Sequence, residues 1–126
     1  MVKSGTAALI ASLALGAWSP VWAHHTASMF ADDKELVLSG TVREFQYTNP
    51  HSWIQLVVVQ NGVPVEWSVE TQAPIVLLRA GIKPGSLKPG DKVVVRMHPL
   101  KDGGPGGEMI DVKKEDGTVL TLRARN

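Results

Sequence analysis

Residues 51–70 read HSWIQLVVVQNGVPVEWSVE, and this segment decides the fold. Two runs rich in Val, Ile and Trp stand on either side of Asn61-Gly62. An Asn-Gly pair is preferred in two-residue hairpin turns, because both central positions of such a turn take a positive φ. The segment therefore predicts a β-hairpin with strands over residues 51–60 and 63–69.

Residues 36–47 precede this hairpin and predict a long first strand. Apolar or small residues keep one alternating phase as far as Val42, and Phe45 and Tyr47 then take the other phase. One inserted residue would produce that change, so a β-bulge is expected between the two halves. Asn49-Pro50 ends the strand, because proline cannot donate a ladder hydrogen bond and Asn favours turns.

The residues after the hairpin predict one short helix followed by further strands. A proline near the start, an apolar body and a closing glycine favour a helix over residues 74–81, with a strand as the alternative. Turn residues divide the rest into a turn over 88–91, a strand over 92–97, a mobile glycine-rich loop over 103–107 and a final hairpin over 108–114 and 119–122. This order predicts an all-β fold, an OB-like Greek-key barrel of five to six strands with one short helix between the third and fourth strands.

The length and composition limit the classes of protein to consider. A chain of 126 residues is the size of one domain that buries its own core, and 44% hydrophobic with 20% charged residues is typical of globular proteins. With 13 basic against 12 acidic side chains, there is no charge excess to attract nucleic acid. The absence of cysteine excludes disulfides, thiolate metal sites and cysteine nucleophiles.

Residues 1–23 predict a secretory signal peptide. Lys3 gives a positive start, residues 5–17 are uncharged and rich in Ala and Leu, and small or aliphatic residues precede a cleavage site after Ala23. A membrane anchor is the alternative, but Pro20 interrupts the run before about 20 apolar residues have accumulated.

The predicted cleavage defines the mature protein and its location. It would leave an N-terminal arm over residues 24–35 and a barrel domain over residues 36–126. The mature protein is expected in the periplasm, without a membrane-spanning segment. Since no disulfide can form in that oxidising compartment, stability would come from packing alone.

Cleavage would also make His24 the first residue, followed by His25. A terminal histidine offers its amine nitrogen and its ring Nδ1, which together can chelate a copper ion. His25 offers a rival arrangement through the terminal amine, the intervening amide nitrogen and its own ring. The alternative is that both histidines belong to a frayed terminus and bind nothing.

His51 is the best candidate for a third copper ligand. It follows the Asn49-Pro50 turn and begins a predicted strand, so its ring could reach solvent at the rim of the barrel. In the alternative interpretation, His51 only hydrogen-bonds the turn, while Trp53 on the same strand face packs in the core.

Other candidate donors are better explained as ordinary structural residues. His98 stands at the end of the fourth strand and is expected to be exposed. Met29 and Met97 could bind Cu(I), but methionine more often fills gaps in a core. Asp32-Asp33 predicts a solvated turn rather than a metal site.

The sequence contains no recognisable catalytic set. Its serines stand in no nucleophile-elbow context, and the glycine-rich loop lacks the Lys and Ser or Thr of a phosphate-binding loop. Glu66 and Glu70 are four residues apart on a predicted strand, so both are expected on one exposed face. The chain is therefore not expected to be an enzyme.

Five blocks of the chain resemble a family of small exported proteobacterial proteins known only as a domain of unknown function. The blocks are AHHTASMF at residues 23–30, LSGTV at 38–42, TNPHSW at 48–53, VEWSVE at 65–70 and LKPGD at 87–91. The resemblance covers essentially the whole mature chain and implies an exported OB-like barrel, without any established activity or ligand. A metal site shared by the HH and NPHSW blocks is our own inference.

These observations predict a non-enzymatic, monomeric periplasmic protein that captures or delivers copper through the histidines of its mature N-terminus and His51. The alternative is a metal-independent module that binds an envelope protein or a small molecule on a barrel face near Tyr47, Trp53 and Trp67. A copper oxygenase with a histidine brace is a third class, but no substrate platform is evident in the sequence.

Overall fold

A computed structural model describes residues 29–123 of the protein. The predicted signal peptide and the candidate ligands His24 and His25 therefore lie outside the described residues. The strands are β1 (Leu36–Gln46), β2 (Trp53–Gln60), β3 (Val63–Glu70), β4 (Lys92–Pro99), β5 (Gly106–Lys114) and β6 (Val119–Thr121). Helix α1 (Pro74–Arg79) lies between β3 and β4 and is followed by a 3₁₀ turn over Pro84–Ser86.

The strands form the predicted OB-like barrel. Their order in the sheet is β3-β2-β1-β4-β5-β6, and a parallel pairing between β3 and β5 closes the first five strands into a barrel. The sixth strand extends the sheet beyond β5. The fold class is confirmed, including the short helix between the third and fourth strands. Within residues 29–123, no helix is long and apolar enough to cross a membrane.

Two local predictions in the first three strands are also confirmed. The register of β1 against β2 shifts between Val42 and Glu44, which is the expected bulge. The β2–β3 hairpin turns at Asn61 and Gly62, whose φ angles are 51° and 78°. Positive φ at both positions is the geometry that the Asn-Gly pair predicts.

The core lies inside the barrel and is closed at one end by α1. In β2 the inward-facing residues are Ile54, Leu56 and Val58, all of them buried. Leu77 of the helix is completely buried beneath them in the same apolar cluster. The alternative interpretation in which Trp53 packs in the core is wrong, because the even-numbered residues of β2 face inward and leave Trp53 half-buried.

The predicted mobile loop over residues 103–107 is partly wrong. Gly106 and Gly107 are buried and belong to β5, where they pair with Ser68 and Val69 of β3. A Cβ atom on Gly106 would lie 2.9 Å from the carbonyl oxygen of Ser68 in β3, and one on Gly107 would lie 2.6 Å from that of His98 in β4. These glycines therefore permit the close backbone approach that closes the barrel.

Candidate functional site

A cavity of about 270 Å³ opens at the barrel rim where β3 ends. The β1–β2 loop, the end of β3, the start of β5 and the first described residues of the chain all contribute to it. Its lining residues are Phe30, Asp32, His51, Glu70, Thr71, Gln72 and Glu108.

The β1–β2 loop is held in place by hydrogen bonds to itself and to the end of β3. Thr48 Oγ1 donates to the carbonyl oxygen of His51 at 2.8 Å. Completely buried Ser52 accepts from the amide of Thr71 at 2.9 Å and donates its own amide to the carbonyl oxygen of Gln72 at 3.2 Å. Because the loop backbone is bonded on both sides of His51, the position of this histidine is fixed relative to β3.

The ring of His51 contacts a carboxylate rather than the turn. Its Nδ1 is hydrogen-bonded to Glu70 Oε1. Its side chain is 37% exposed, and Nε2 makes no hydrogen bond to any residue in 29–123. A carboxylate that accepts from Nδ1–H fixes the tautomer and leaves the Nε2 lone pair free, which is the usual arrangement behind a metal-ligating histidine.

The prediction of a shared exposed face for Glu66 and Glu70 holds only for Glu66. Glu66 is exposed and forms an ion pair with Arg43 at 2.7 Å, whereas Glu70 is 9% exposed. Strand alternation does place both on the outer face, but the β1–β2 loop covers that face where Glu70 lies. Sequence reasoning missed Glu70 because the covering contact is tertiary.

Thr71 and Asp32 complete the polar wall of the cavity. Thr71 is 3% exposed, and its Oγ1 is the one buried side-chain oxygen or nitrogen within residues 29–123 that has no hydrogen-bond partner. A buried hydroxyl without a hydrogen-bond partner lowers the stability of the folded protein. Asp32 lies in an exposed turn, as predicted, and that turn borders the cavity.

The N-terminal arm enters the described structure at this cavity. Phe30 lines it, bridges to Leu100, and is followed by Ala31, whose amide donates to the carbonyl oxygen of Pro99 at 2.9 Å. His24 precedes Phe30 by six residues, and six residues span up to about 20 Å. The arm is therefore long enough to bring His24 to His51.

The other candidate donors lie outside the cavity. His98 is half-buried, and its Nδ1 is hydrogen-bonded to the carbonyl oxygen of Lys34 at 2.8 Å. Met97 is completely buried in the core and Met29 is half-exposed. Within residues 29–123, no group of three or more His, Cys, Asp or Glu side chains could hold a metal ion.

Two of the three aromatic residues proposed to bind a metal-independent partner make contacts within the fold. Trp67 is 7% exposed. The hydroxyl of Tyr47 lies 2.9 Å from the carbonyl oxygen of Ile82 and 3.1 Å from that of Pro74, which ties it to the two ends of the α1 segment. Burial raises the pKa of Tyr47, so this phenol stays a donor. Trp53 and Tyr47 are both half-buried, and Trp67 is the buried member of the three.

A family of unknown function, DUF6152, matches residues 10–118, and the chain belongs to that family. The resemblance to an uncharacterised family, drawn from the HH, NPHSW and VEWSVE blocks, is thereby confirmed. No curated protein matches the chain.

Proposed function

We propose that this member of the DUF6152 family is an exported periplasmic protein that binds copper through its mature N-terminus and His51. The observation that carries the proposal is the contact of His51 with Glu70 at a cavity that the N-terminal arm also lines. The protein holds or delivers the ion and catalyses no reaction.

The ligand set follows from the chemistry of the groups available. After cleavage behind Ala23, His24 supplies its amine nitrogen and its ring Nδ1. His51 supplies Nε2, oriented by Glu70 through the other ring nitrogen. Three nitrogen donors suit copper, and His25 can substitute for or assist the first residue.

Export rests on the anatomy of residues 1–23. A positive start, an uncharged run rich in Ala and Leu and a small-residue cleavage site make a secretory signal. Export and the copper site are linked, because the terminal amine of His24 exists only after cleavage. The unprocessed chain has an amide nitrogen at that position and cannot form the same chelate.

The test is a Cu(II) titration with electron paramagnetic resonance on exported protein whose first residue is confirmed as His24 by mass spectrometry. Near pH 7 to about 8 the terminal amine can lose its proton to the metal. We expect one-to-one binding with a submicromolar Kd and a nitrogen-rich spectrum.

Two variants and a control assign the ligands. His51→Ala and a chain with one extra residue before His24 should each weaken binding by about 100-fold, the loss typical for removal of one metal ligand or its support. His98→Ala, a histidine bonded outside the cavity, should leave binding unchanged. Loss of binding in His98→Ala instead of His51→Ala would overturn the assignment. Wild-type binding weaker than a few micromolar would overturn the copper function itself.

A further inference from the structure

A groove of about 510 Å³ crosses the outer face of four neighbouring strands, β2, β1, β4 and β5. It lies apart from the rim cavity, since no residue lines both. Neighbouring strands of a sheet are about 4.8 Å apart, so the groove extends about 14 Å from β2 to β5. Its volume is in the range of small-molecule sites in proteins.

The smallest residues of the groove lie on its middle strand, β1. Ser39 and Gly40 line it there. Ser39 faces outward, because the alternation that buries Val42 places the odd-numbered residues of this part of β1 on the outside. Val94 of β4 is the register partner of Ser39, and Val59 lines the groove from β2. The floor is therefore low on β1 and bordered by larger side chains on both sides.

The part of the groove on β2 and β4 is apolar. Val59 is 68% exposed and Val94 is 39% exposed. The solvated face of an antiparallel sheet commonly carries polar side chains, so exposed valines are unusual there. Because Val57, Val59 and Val94 line one groove, they form a joint apolar surface that a ligand would remove from water.

The part of the groove on β4 and β5 is basic. Lys92 and Lys113 are exposed there, and neither forms an ion pair within residues 29–123. Lys114 also lines the groove, but its Nζ lies 3.8 Å from a carboxylate oxygen of Asp91. Glu115 is the one acidic residue in the lining. The excess of positive charge calls for an anionic ligand.

The strands beneath the groove leave no backbone edge for a peptide. β1 pairs with β2 and β4, and β4 pairs with β1 and β5, so their ladder groups are bonded within the sheet. A peptide laid across the valines would lose water from its amide groups without gaining hydrogen bonds in return. A hydrocarbon chain has no such groups, and an acidic group at one of its ends would complement the lysines.

We propose that this groove binds a free anionic amphiphile, a single acyl chain with an acidic head group. The chain covers Val59 and Val94, and the head group lies at Lys92 and Lys113. Val94 and Lys113 are register partners on adjacent strands, which places the apolar and basic parts within reach of one ligand. The site does not depend on the proposed copper function.

The test is isothermal titration calorimetry of the exported protein with dodecanoate, kept below its micellar concentration. We expect one-to-one binding with a Kd of about 100 μM, a reasonable affinity for a ligand of this size. Acetate has the head group without the chain, and dodecyltrimethylammonium has the chain with a positive head group. Each should bind at least about tenfold more weakly than dodecanoate. Absence of dodecanoate binding, or equal binding of dodecyltrimethylammonium, would overturn the proposal.

Substitutions at each end of the groove locate the ligand. The double variant Lys92→Gln, Lys113→Gln should weaken dodecanoate binding about fivefold, since two exposed charge contacts are lost. Lys101→Gln is its control, because Lys101 is an exposed turn residue that does not line the groove. Val59→Ser should weaken binding about threefold through lost apolar contact. Its control is Val63→Ser, a valine that is 58% exposed on β3 and lies outside the groove lining.

Three results are decisive for the assignment. An unchanged Kd in both groove variants would place the amphiphile elsewhere on the protein and overturn the site. Binding to anionic phospholipid vesicles without binding of monomeric dodecanoate would assign this face to a membrane surface and overturn the proposal for a free ligand. Copper binding should be the same in the groove variants as in the wild type, so that failure of either proposal leaves the other standing.

Discussion

The two ends of β3 differ in how their residues are paired and buried. At Val63 the strand leaves a two-residue turn, pairs with Gln60 of β2 and keeps its first side chains exposed. At Glu70 the strand is paired on both sides, with Trp53 of β2 and with Glu108 of β5. The turn end satisfies its polar groups with its own backbone, whereas the rim end buries a carboxylate and an unpartnered hydroxyl.

This difference distinguishes residues that stabilise the barrel from residues that form the candidate site. The turn end depends on two residues whose backbone geometry is locally favourable. The rim end depends on contacts between segments distant in sequence, and there Glu70 and Glu108 lie opposite each other as register partners, which lowers the stability of the fold. Residues that lower stability without a compensating contact are expected at functional sites rather than at structural ones.

The strongest way to disrupt the rim end of β5 is to block its close approach to the neighbouring strand β4. In Gly107→Ala, the new Cβ would lie 2.6 Å from the carbonyl oxygen of His98 and 2.7 Å from the sulfur of Met97. We expect a loss of about 3 kcal/mol in the free energy of unfolding, measured by urea denaturation. Gly85→Ala, where the added Cβ meets nothing within 4 Å, should change stability by less than about 0.5 kcal/mol. Equal effects of the two substitutions would contradict the close-packing role of Gly107.

A substitution in the turn before Val63 should lower the free energy of unfolding by less than Gly107→Ala does. Gly62 has a φ of 78°, and nothing lies within 4 Å of a Cβ built on it, so Gly62→Ala adds backbone strain without a clash. We expect a loss of about 1 kcal/mol. Gly62→Asn tolerates the left-handed conformation better and should recover part of this loss. An alanine variant as stable as the wild type would show that the turn geometry contributes little.

Removing the unpartnered hydroxyl at the rim should increase the free energy of unfolding rather than lower it. Thr71→Val replaces the unpartnered buried hydroxyl with a methyl group of similar size. Because a buried hydroxyl without a partner is costly, we expect the copper-free protein to gain about 1 kcal/mol in stability. Thr41→Val, which alters a half-buried residue of β1, is the control and should give no gain. A destabilised Thr71→Val would mean that the hydroxyl has a favourable interaction after all.

The same difference between local and long-range contacts determines which features the sequence predicts. The Asn61-Gly62 turn, the bulge after Val42 and the order of strands around one helix follow from local patterns, and all three are confirmed. Sequence reasoning placed Glu70 on a solvated face and Gly107 in a mobile loop, and both placements are wrong. Each error has one physical cause, a tertiary contact that covers or pairs a residue whose neighbours in sequence do not reveal it.

His51 shows the same limit within the candidate site. Its position after a proline turn predicted a ring at the barrel rim, and the structure places it there, half-exposed. Its partner Glu70 is nineteen residues away in sequence and was not predicted. Strand pairing brings them together, since the β2–β3 hairpin aligns Trp53 with Glu70 and so returns the end of β3 to the loop that carries His51.

The second hairpin offers the smallest and most selective test, because its turn carries a charge that the first turn lacks. Asp116 Oδ1 accepts from the amide of Thr118 at 2.9 Å, and this hydrogen bond lowers the pKa of Asp116. A carboxyl whose folded pKa lies below its unfolded value stabilises the fold above the unfolded pKa, and that contribution is lost as the pH falls through the folded pKa. Asp116→Asn should therefore remove a small part of the acid sensitivity that unfolding shows as the pH falls below the ordinary aspartate pKa of 3.8. Asp102→Asn changes a carboxylate in another exposed turn and is the comparison. If Asp116→Asn left the pH profile unchanged, the charge in this turn would contribute nothing, and both hairpin turns would be stabilised by backbone geometry alone.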